Sequence, residues 1–421
     1  WLDCRGAPYV KKITDGWPKI QGYGLAKLIK WARLTGGIPT HGGKDAIANI
    51  LYIKNVKPEL YQNTYKFLEP KDFINYKFTG KFAASYDSIT LHWVTDNRRI
   101  ANVVYDRDLI RMSTIDPAKL PELKRSVDIL GLIRPEVADE IGLSRQVCVV
   151  AGSPDVQSAA IGAGAVKDYK ANMYIGTSSW LTCHVPFKKL DLRHNIASLP
   201  SAIPDKYLVT NEQESAGACL NYLRDNIFCR DGQSRHNEHP NAMAEFNQLA
   251  QGVPPGSHKL IFTPWLHGER TPVEDSSLRA CFFNQSLQTT KADMIRAVFE
   301  GVAYNSRWLL ECMDGFIKRP MDNINAIGGG ANSALWSQIF ADVMNRTIHQ
   351  VKDPIWANLR GAAFIAAVGM EWMSFDEVPK RVHIAATYTP KSANRDIYDK
   401  LYKAFRKIHT RNKSIYADLN Q

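Results

Sequence analysis

Three short segments of the chain carry residue types whose spacing could do chemistry. In Val147-Cys-Val-Val-Ala-Gly-Ser-Pro-Asp155 an apolar strand ends in a tight turn that presents one carboxylate, just before a run of small residues to Gly164. A carboxylate placed this way serves as a general base. It, or Ser153, serves equally as a helix cap. In Ala171-Asn-Met-Tyr-Ile-Gly176-Thr177-Ser178-Ser179-Trp180-Leu-Thr-Cys-His-Val185, apolar runs flank a turn dense in hydroxyls. Such a turn offers N–H and O–H donors to phosphate oxygens, because glycine lets the main chain come close, and an ordinary hairpin is the competing reading. The third segment, Gly328-Gly329-Gly330 with Ala331-Asn332-Ser333, lies where a strand passes into a helix. Unpaired N–H groups at a helix start favour anions, and bare glycine backbone lets a flat ring system lie against the loop. Ser333 stands where a dinucleotide G-x-G-x-x-G needs its last glycine, and around Gly43-Lys44 a Walker loop fails at Ile38 and Asp45. His236-Asn-Glu238-His239 gathers metal-capable side chains beside Pro240 without a helical frame, so no metal ligand is assigned.

These segments need elements to hold them. From Val147 the sequence alternates strand, glycine turn and helix, the pattern of an α/β protein, and a domain boundary is placed there, dividing the chain into 1–146 and 147–421. Thr290 with Asp293 resembles a capping box. Met294, Val298 and Val302, with Ile295, Phe299 and Ala303, then repeat every four residues, which predicts a long, deeply packed helix stopping before Gly315 and Pro320. Ile324 to Ile327 reads as a buried strand, Leu335, Trp336, Ile339, Phe340 and Val343 as one face of a helix, and Thr347 to Val351 as a returning strand.

A chain of 421 residues is long enough for two or three domains with substantial cores, and 45% hydrophobic with 23% charged residues is globular composition. The most apolar stretch, Val147 to Val166, is broken by Pro154 and Asp155, so no membrane partner is expected. Seven scattered cysteines without a Cys-x-x-Cys pair read as free thiols of a cytoplasmic protein. The net charge of +11 lies largely in the last stretch, where Lys400, Lys403, Arg406, Lys407, Arg411 and Lys413 accompany Ile397, Leu401, Phe405 and Ile408 at helical spacing. That is an amphipathic helix with a solvated basic face, not a nucleic-acid groove.

Taken together and in order, the segments resemble the FGGY carbohydrate kinases. Trp1-Leu-Asp3-Cys-Arg5 is similar to the family's Trp-x-Asp-x-Arg, and Phe67-Leu-Glu-Pro70-Lys-Asp72 through Thr79-Gly80 to its proline-aspartate and Leu-Thr-Gly stretch. Asp116-Pro117, Leu120-Pro121 and Gly142-Leu143 continue the pattern to Gly152 and Asp155. Then come Gly176-Thr177-Ser178, Phe262-Thr-Pro264-Trp265-Leu-His-Gly268-Glu269-Arg270-Thr271-Pro272, Glu300-Gly301, and Gly328 to Asn332 with Trp336. The Gly-Glu-Arg-Thr-Pro element is most like the xylulokinase branch. Tyr52 and Asn49 depart from the family's usual tryptophan and lysine.

The resemblance implies two actin-like, ribonuclease-H-like domains that close over a cleft, the first, 1–146, binding sugar and the second, 147–421, binding ATP. It implies phosphorylation of a small sugar or polyol, D-xylulose above others, with Mg²⁺ bridging the phosphates. Asp155 would take the proton of the attacking hydroxyl. Gly176, Thr177 and Ser178 would contact the transferring phosphate, and Gly328, Gly329, Gly330, Asn332 and Ser333 would line the adenosine site. Positioning, charge neutralisation and a proton acceptor are what phosphoryl transfer demands. No Asp-x-Gly-Thr loop, which family members carry ahead of the Trp-x-Asp-x-Arg segment, occurs in the sequence. The expectation is therefore a first domain incomplete at its start, and the alternative reading is a non-catalytic relative that binds nucleotide or sugar. A homodimer is left open.

Overall fold

The computed structural model describes residues 3–228 and 242–420. The second part of the chain is built on one eight-stranded sheet. Its strands are β1 (Ala171–Ile175), β2 (Ser179–Val185), β3 (Leu190–Asp191), β4 (Ile196–Pro200), β5 (Tyr207–Thr210), β6 (Asn323–Ile327), β7 (Thr347–Val351) and β8 (Ile384–Tyr388). Their order is β3-β4-β5-β2-β1-β6-β7-β8. The β1–β6 and β6–β7 pairs are parallel and the others antiparallel, with Ala171 opposite Ile324 in the central pair. A parallel centre is covered on both faces, and its strands accordingly read as apolar runs. β6 is buried from Ile324 to Ile327, and its one polar interior residue, Asn325, donates from Nδ2 to the Ala163 carbonyl at 2.7 Å.

Five helices frame this sheet: α1 (Asp155–Gly162), α2 (Lys291–Ile317), α3 (Ala334–Met344), α4 (Ala357–Gly369) and α5 (Arg395–Asn420). The capping box at the start of α2 is present: Thr290 accepts from the Asp293 amide and Asp293 Oδ2 accepts from the Thr290 amide at 2.8 Å. The helix runs through Gly315 rather than stopping before it. Phe316 and Ile317 are buried, so packing carries the helix one turn further, and Lys318, in the left-handed region at φ +59°, ends it. The last helix, α5, is amphipathic as expected, and it buries Tyr398, Leu401, Tyr402 and Phe405 while Lys400, Lys403 and Lys407 stay exposed.

One contact between helices fixes the start of α1. A Cβ on Gly162 would stand 1.8 Å from the Ala357 carbonyl oxygen, and one on Gly361 1.8 Å from that of Ser158. The two glycines let α1 and α4 cross backbone against backbone. Asp155 is the first residue of α1, and Pro154, not a side-chain acceptor, occupies the cap position.

The first part is assembled differently. Helices Leu25–Thr35, Ala46–Val56 and Pro70–Thr79 accompany two-stranded pairs, 83–85 with 122–124 and 129–132 with 148–150. Between them loops are fixed by side-chain hydrogen bonds. Trp31 Nε1 donates to the Trp93 carbonyl at 2.9 Å, Trp93 Nε1 to Asp45 Oδ2 at 2.9 Å, and Asn97 Nδ2 to the Thr35 carbonyl at 2.9 Å. Gly37 is required where it stands, because a Cβ there would lie 2.5 Å from the Trp93 ring.

Candidate active site

A cleft of about 590 Å³ opens between the two parts of the chain. Asp155 lines it, at the end of a strand and the start of a helix that together are tied to both sides. On the near side, the Gly152 amide donates to the Ser126 carbonyl at 2.8 Å, and Ala151 accepts from Lys71 Nζ at 2.9 Å and Asn75 Nδ2 at 2.8 Å. On the far side, Asn358 Nδ2 reaches the Asp155 carbonyl at 3.4 Å. Ser153 Oγ is bonded to Ser158 Oγ at 2.7 Å, which leaves Asp155 as the polar side chain this turn offers the cleft.

Gly176, Thr177 and Ser178 form the β1–β2 turn, so the hairpin is real, and the glycine loop after β6 packs directly on it. A Cβ on Gly328 would lie 2.6 Å from the Ile175 oxygen, and one on Gly330 2.4 Å from Ile175 Cγ2. Gly328 also sits in the left-handed region at φ +88°, whereas a Cβ on Gly329 would meet nothing within 4 Å. Gly329 is the position at which the loop leaves open space. Asn332 closes the short turn Gly329–Asn332, and Ser333 caps α3, its Oγ accepting from the Trp336 amide at 3.0 Å while it is hydrogen-bonded to Asn247. Neither glycine loop is part of the cleft's lining, and Tyr174 packs against both: a Cβ on Gly328 would lie 3.0 Å from its Cε2. A Cβ on Gly176 would lie 2.4 Å from the Tyr174 hydroxyl. That phenol is pushed up by burial and, in second place, by the charge of Asp155. Tyr174 is itself clamped flat on Trp180, ring centroids 4.0 Å apart at 8°.

Behind the turn lies a feature the sequence reading did not single out. The amides of Ala216 and Gly217 donate to the carbonyls of Thr177 and Gly176, each at 2.8 Å, and a Cβ on Gly217 would lie 2.6 Å from the Gly176 oxygen. The small-residue run Ser215-Ala-Gly-Ala218 was the available signal. The Gly-Glu-Arg motif supports the same segment. Glu269 Oε1 accepts from the amides of Glu214 at 3.0 Å and Arg270 at 2.8 Å. Burial pushes Glu269 up to about 7 despite these donors. Glu214 bonds Lys44 at 2.9 Å and lies 3.5 Å from Arg270 Nε, so the ion cluster bridges the two parts of the chain.

The cleft is acidic. Asp45, Glu69, Asp87, Asp155, Glu212 and Glu274 line it, against Lys71 and Arg270 among the described residues. Burial pushes Asp45, Asp87, Glu212 and Glu274 above the usual carboxylate range, and pushes Glu69 up to about 7. Apart from Asp155 these acids escaped the sequence reading, because they come from loops scattered over more than two hundred residues. Among the described residues no group of three His, Cys, Asp or Glu could hold a metal ion, and His236 to His239 lie outside those residues. No described helix is long and apolar enough to cross a membrane.

A ribonuclease-H-like sheet order, a second lobe facing it and an acid-lined cleft between them define an actin-like phosphotransferase fold. Residues 34–162 match the N-terminal domain, and 171–370 the C-terminal domain, of the FGGY family of carbohydrate kinases. The chain belongs to that family, and it is a carbohydrate kinase, a phosphotransferase with an alcohol group as acceptor. A xylulose kinase of Staphylococcus epidermidis is 31% identical over 100% of this chain and 79% of its own length. One of Bacillus subtilis is 28% identical over 100% and 79%. The crystal structure of a gluconate kinase from Lactobacillus acidophilus shares the fold at TM-score 0.84, with 23% identity over 100% of this chain and 80% of that one.

Proposed function

We propose that the chain transfers the terminal phosphoryl group of ATP to a hydroxyl of a small ketose, D-xylulose above others, with Asp155 as the general base. The supporting observation is that Asp155 is the one candidate that lines the cleft, held there at the first residue of α1. In this reading the Asp155 carboxylate takes the hydroxyl proton as the sugar oxygen bonds to phosphorus, and the bond from that phosphorus to the ADP oxygen breaks. Gly176, Thr177 and Ser178 hold the phosphoryl group through backbone N–H and side-chain O–H donors. The loop from Gly328 to Ser333 lies along the adenosine, where the open space at Gly329 fits a flat ring. Ser333, already a helix cap, would act there through its backbone. Mg²⁺ would be held largely by phosphate oxygens and water and would supply charge neutralisation when bound.

Residues 1–146 carry the sugar side and 147–421 the nucleotide side of this reading. The free thiols of Cys148, Cys183, Cys219, Cys281 and Cys312 fit a cytoplasmic setting. The test is ADP release by the protein as its gene encodes it, across ketoses, polyols and aldonates. One sugar should stimulate turnover, and Asp155→Asn should lower kcat by about 10²- to 10⁴-fold with ATP binding unchanged. Full activity in Asp155→Asn, or turnover indifferent to every sugar, would overturn the assignment.

A further inference from the structure

Among the described residues two cations line the cleft, and each is already paired with a carboxylate. Arg270 is hydrogen-bonded through Nη1 to Glu212 and lies 3.5 Å through Nε from Glu214 Oε1. Lys71 is bonded to Asp72 and donates to the Ala151 carbonyl at 2.9 Å. Around them stand six carboxyl groups on the cleft wall. Like charges oppose their ionisation: Asp72 and Glu214, behind the lining, act on Glu69 and Glu212, Asp155 also acts on Glu212, and Asp45 on Glu274, each adding to the effect of burial. Asp87 is nine-tenths buried. Its Oδ1 accepts from Ser126 Oγ at 2.6 Å, and its Oδ2 has no hydrogen-bond partner among the described residues.

A polyol entering this cleft brings hydroxyl donors to a wall of acceptors. An aldonate brings the same hydroxyls plus a carboxylate, which must lose water among acidic groups with no unpaired cation among the described lining residues to meet it. We infer that the cleft selects neutral polyhydroxy substrates against aldonates, and that Glu212, by holding Arg270, is the specificity-determining residue. The inference rests on the proposed sugar-kinase reading of the same cleft. Glu212 is placed for this role because it and Arg270 line the same cleft as Asp155.

The experiment compares D-xylulose and D-gluconate as acceptors for the whole protein and its Glu212→Gln variant. The unaltered protein should prefer D-xylulose by at least about a hundredfold in kcat/KM. Glu212→Gln frees Arg270 and should narrow that ratio at least tenfold, chiefly through a lower KM for D-gluconate that rises again with ionic strength, while KM for D-xylulose moves little. A general loss of packing would worsen both substrates together. Asp87→Asn removes one wall carboxyl without altering a hydrogen bond of either cation and should narrow the ratio two- to fivefold, so the inference is tested even where Glu212→Gln fails to fold. Equal use of both acceptors by the unaltered protein, or a ratio unmoved in both variants, overturns the inference while sugar-stimulated ADP release leaves the kinase reading standing. Absence of stimulation by any sugar overturns both.

Discussion

The two walls of the cleft are made by opposite strategies. The wall that the proposed reading gives to the nucleotide hangs from one continuous sheet and a 27-residue helix, and the loops behind it are placed by backbone against backbone: Gly328 on Ile175, Gly217 on Gly176, Gly361 on Ser158. The described strands of the opposite wall form only two-stranded pairs, and side chains place its acidic groups: Asp45 by Trp93 and Thr40, Asp87 by Ser126 and, behind the lining, Asp72 by Ser88. Backbone packing gives a rigid template that tolerates little change in shape. Side-chain hydrogen bonding gives a wall whose charge and shape can change residue by residue while the fold stays. A kinase needs the first for a constant phosphoryl donor and the second for a variable acceptor.

The largest effect expected from this contrast falls on the rigid wall. In Gly361→Ala the new methyl carbon has the Ser158 carbonyl oxygen 1.8 Å away, so α1 and α4 must separate. Overpacking of this kind costs about 3 kcal/mol, read as a lower midpoint in urea unfolding. Because α1 begins at Asp155, kcat should fall with stability, whereas KM for ATP should hold. A variant as stable as the parent would show that the crossing yields, and the contrast between the walls would lose its basis.

The same contrast explains what the amino-acid sequence disclosed. Regular elements leave periodic marks: the capping box at Thr290, the every-fourth-residue apolar repeat of α2, the β6 strand and the glycine turn behind it stand where those marks put them. The end of α2 was misread because glycine is a weak stop when buried Phe316 and Ile317 follow it. The acidic wall left no periodic mark. Asp45, Glu69 and Asp87 lie in three different connections and converge only through long-range bonds such as Trp93 to Asp45. Glu212 and Arg270 are 58 residues apart in sequence and meet because strand β5 and the Gly-Glu-Arg turn both end at the cleft.

A smaller effect should follow from loosening the side-chain-built wall. Trp93→Phe keeps most of the ring packed on Gly37 but removes the Nε1–H that donates to Asp45 Oδ2 at 2.9 Å, leaving the Thr40 amide at 2.8 Å and Thr40 Oγ1 at 3.1 Å as donors. Loss of one bond to a buried carboxylate costs about 1–2 kcal/mol. Its activity signature should be the reverse of that of Gly361→Ala: KM for the sugar rises several-fold, while kcat and KM for ATP stay near the parent values. If KM for ATP rises instead, Trp93 serves the nucleotide side and the division of labour between the walls fails.

The smallest expected effect is a titration. Glu69 lies on the same acidic wall, and burial, with help from Asp72, pushes its carboxyl from the ordinary 4.5 to about 7. The folded protein therefore keeps a proton on Glu69 in a window where the unfolded chain has lost it. Between about pH 4.5 and 7 the folded state binds more protons, so stability is full below the lower value, falls as pH rises through the upper one, and is flat beyond it. Glu269, raised likewise to about 7, contributes a fall of the same sign from the rigid wall. Glu69→Gln should remove one part of that slope and leave the Glu269 part, which urea unfolding at pH 5, 6, 7 and 8 would resolve. It should also flatten the pH dependence of the sugar KM near 7, because Glu69 faces the cleft and Glu269 is not among the residues lining it. A slope unchanged in Glu69→Gln would mean that Glu69 ionises in the folded protein as it does in the unfolded chain, and that the acidic wall is better hydrated than its burial implies.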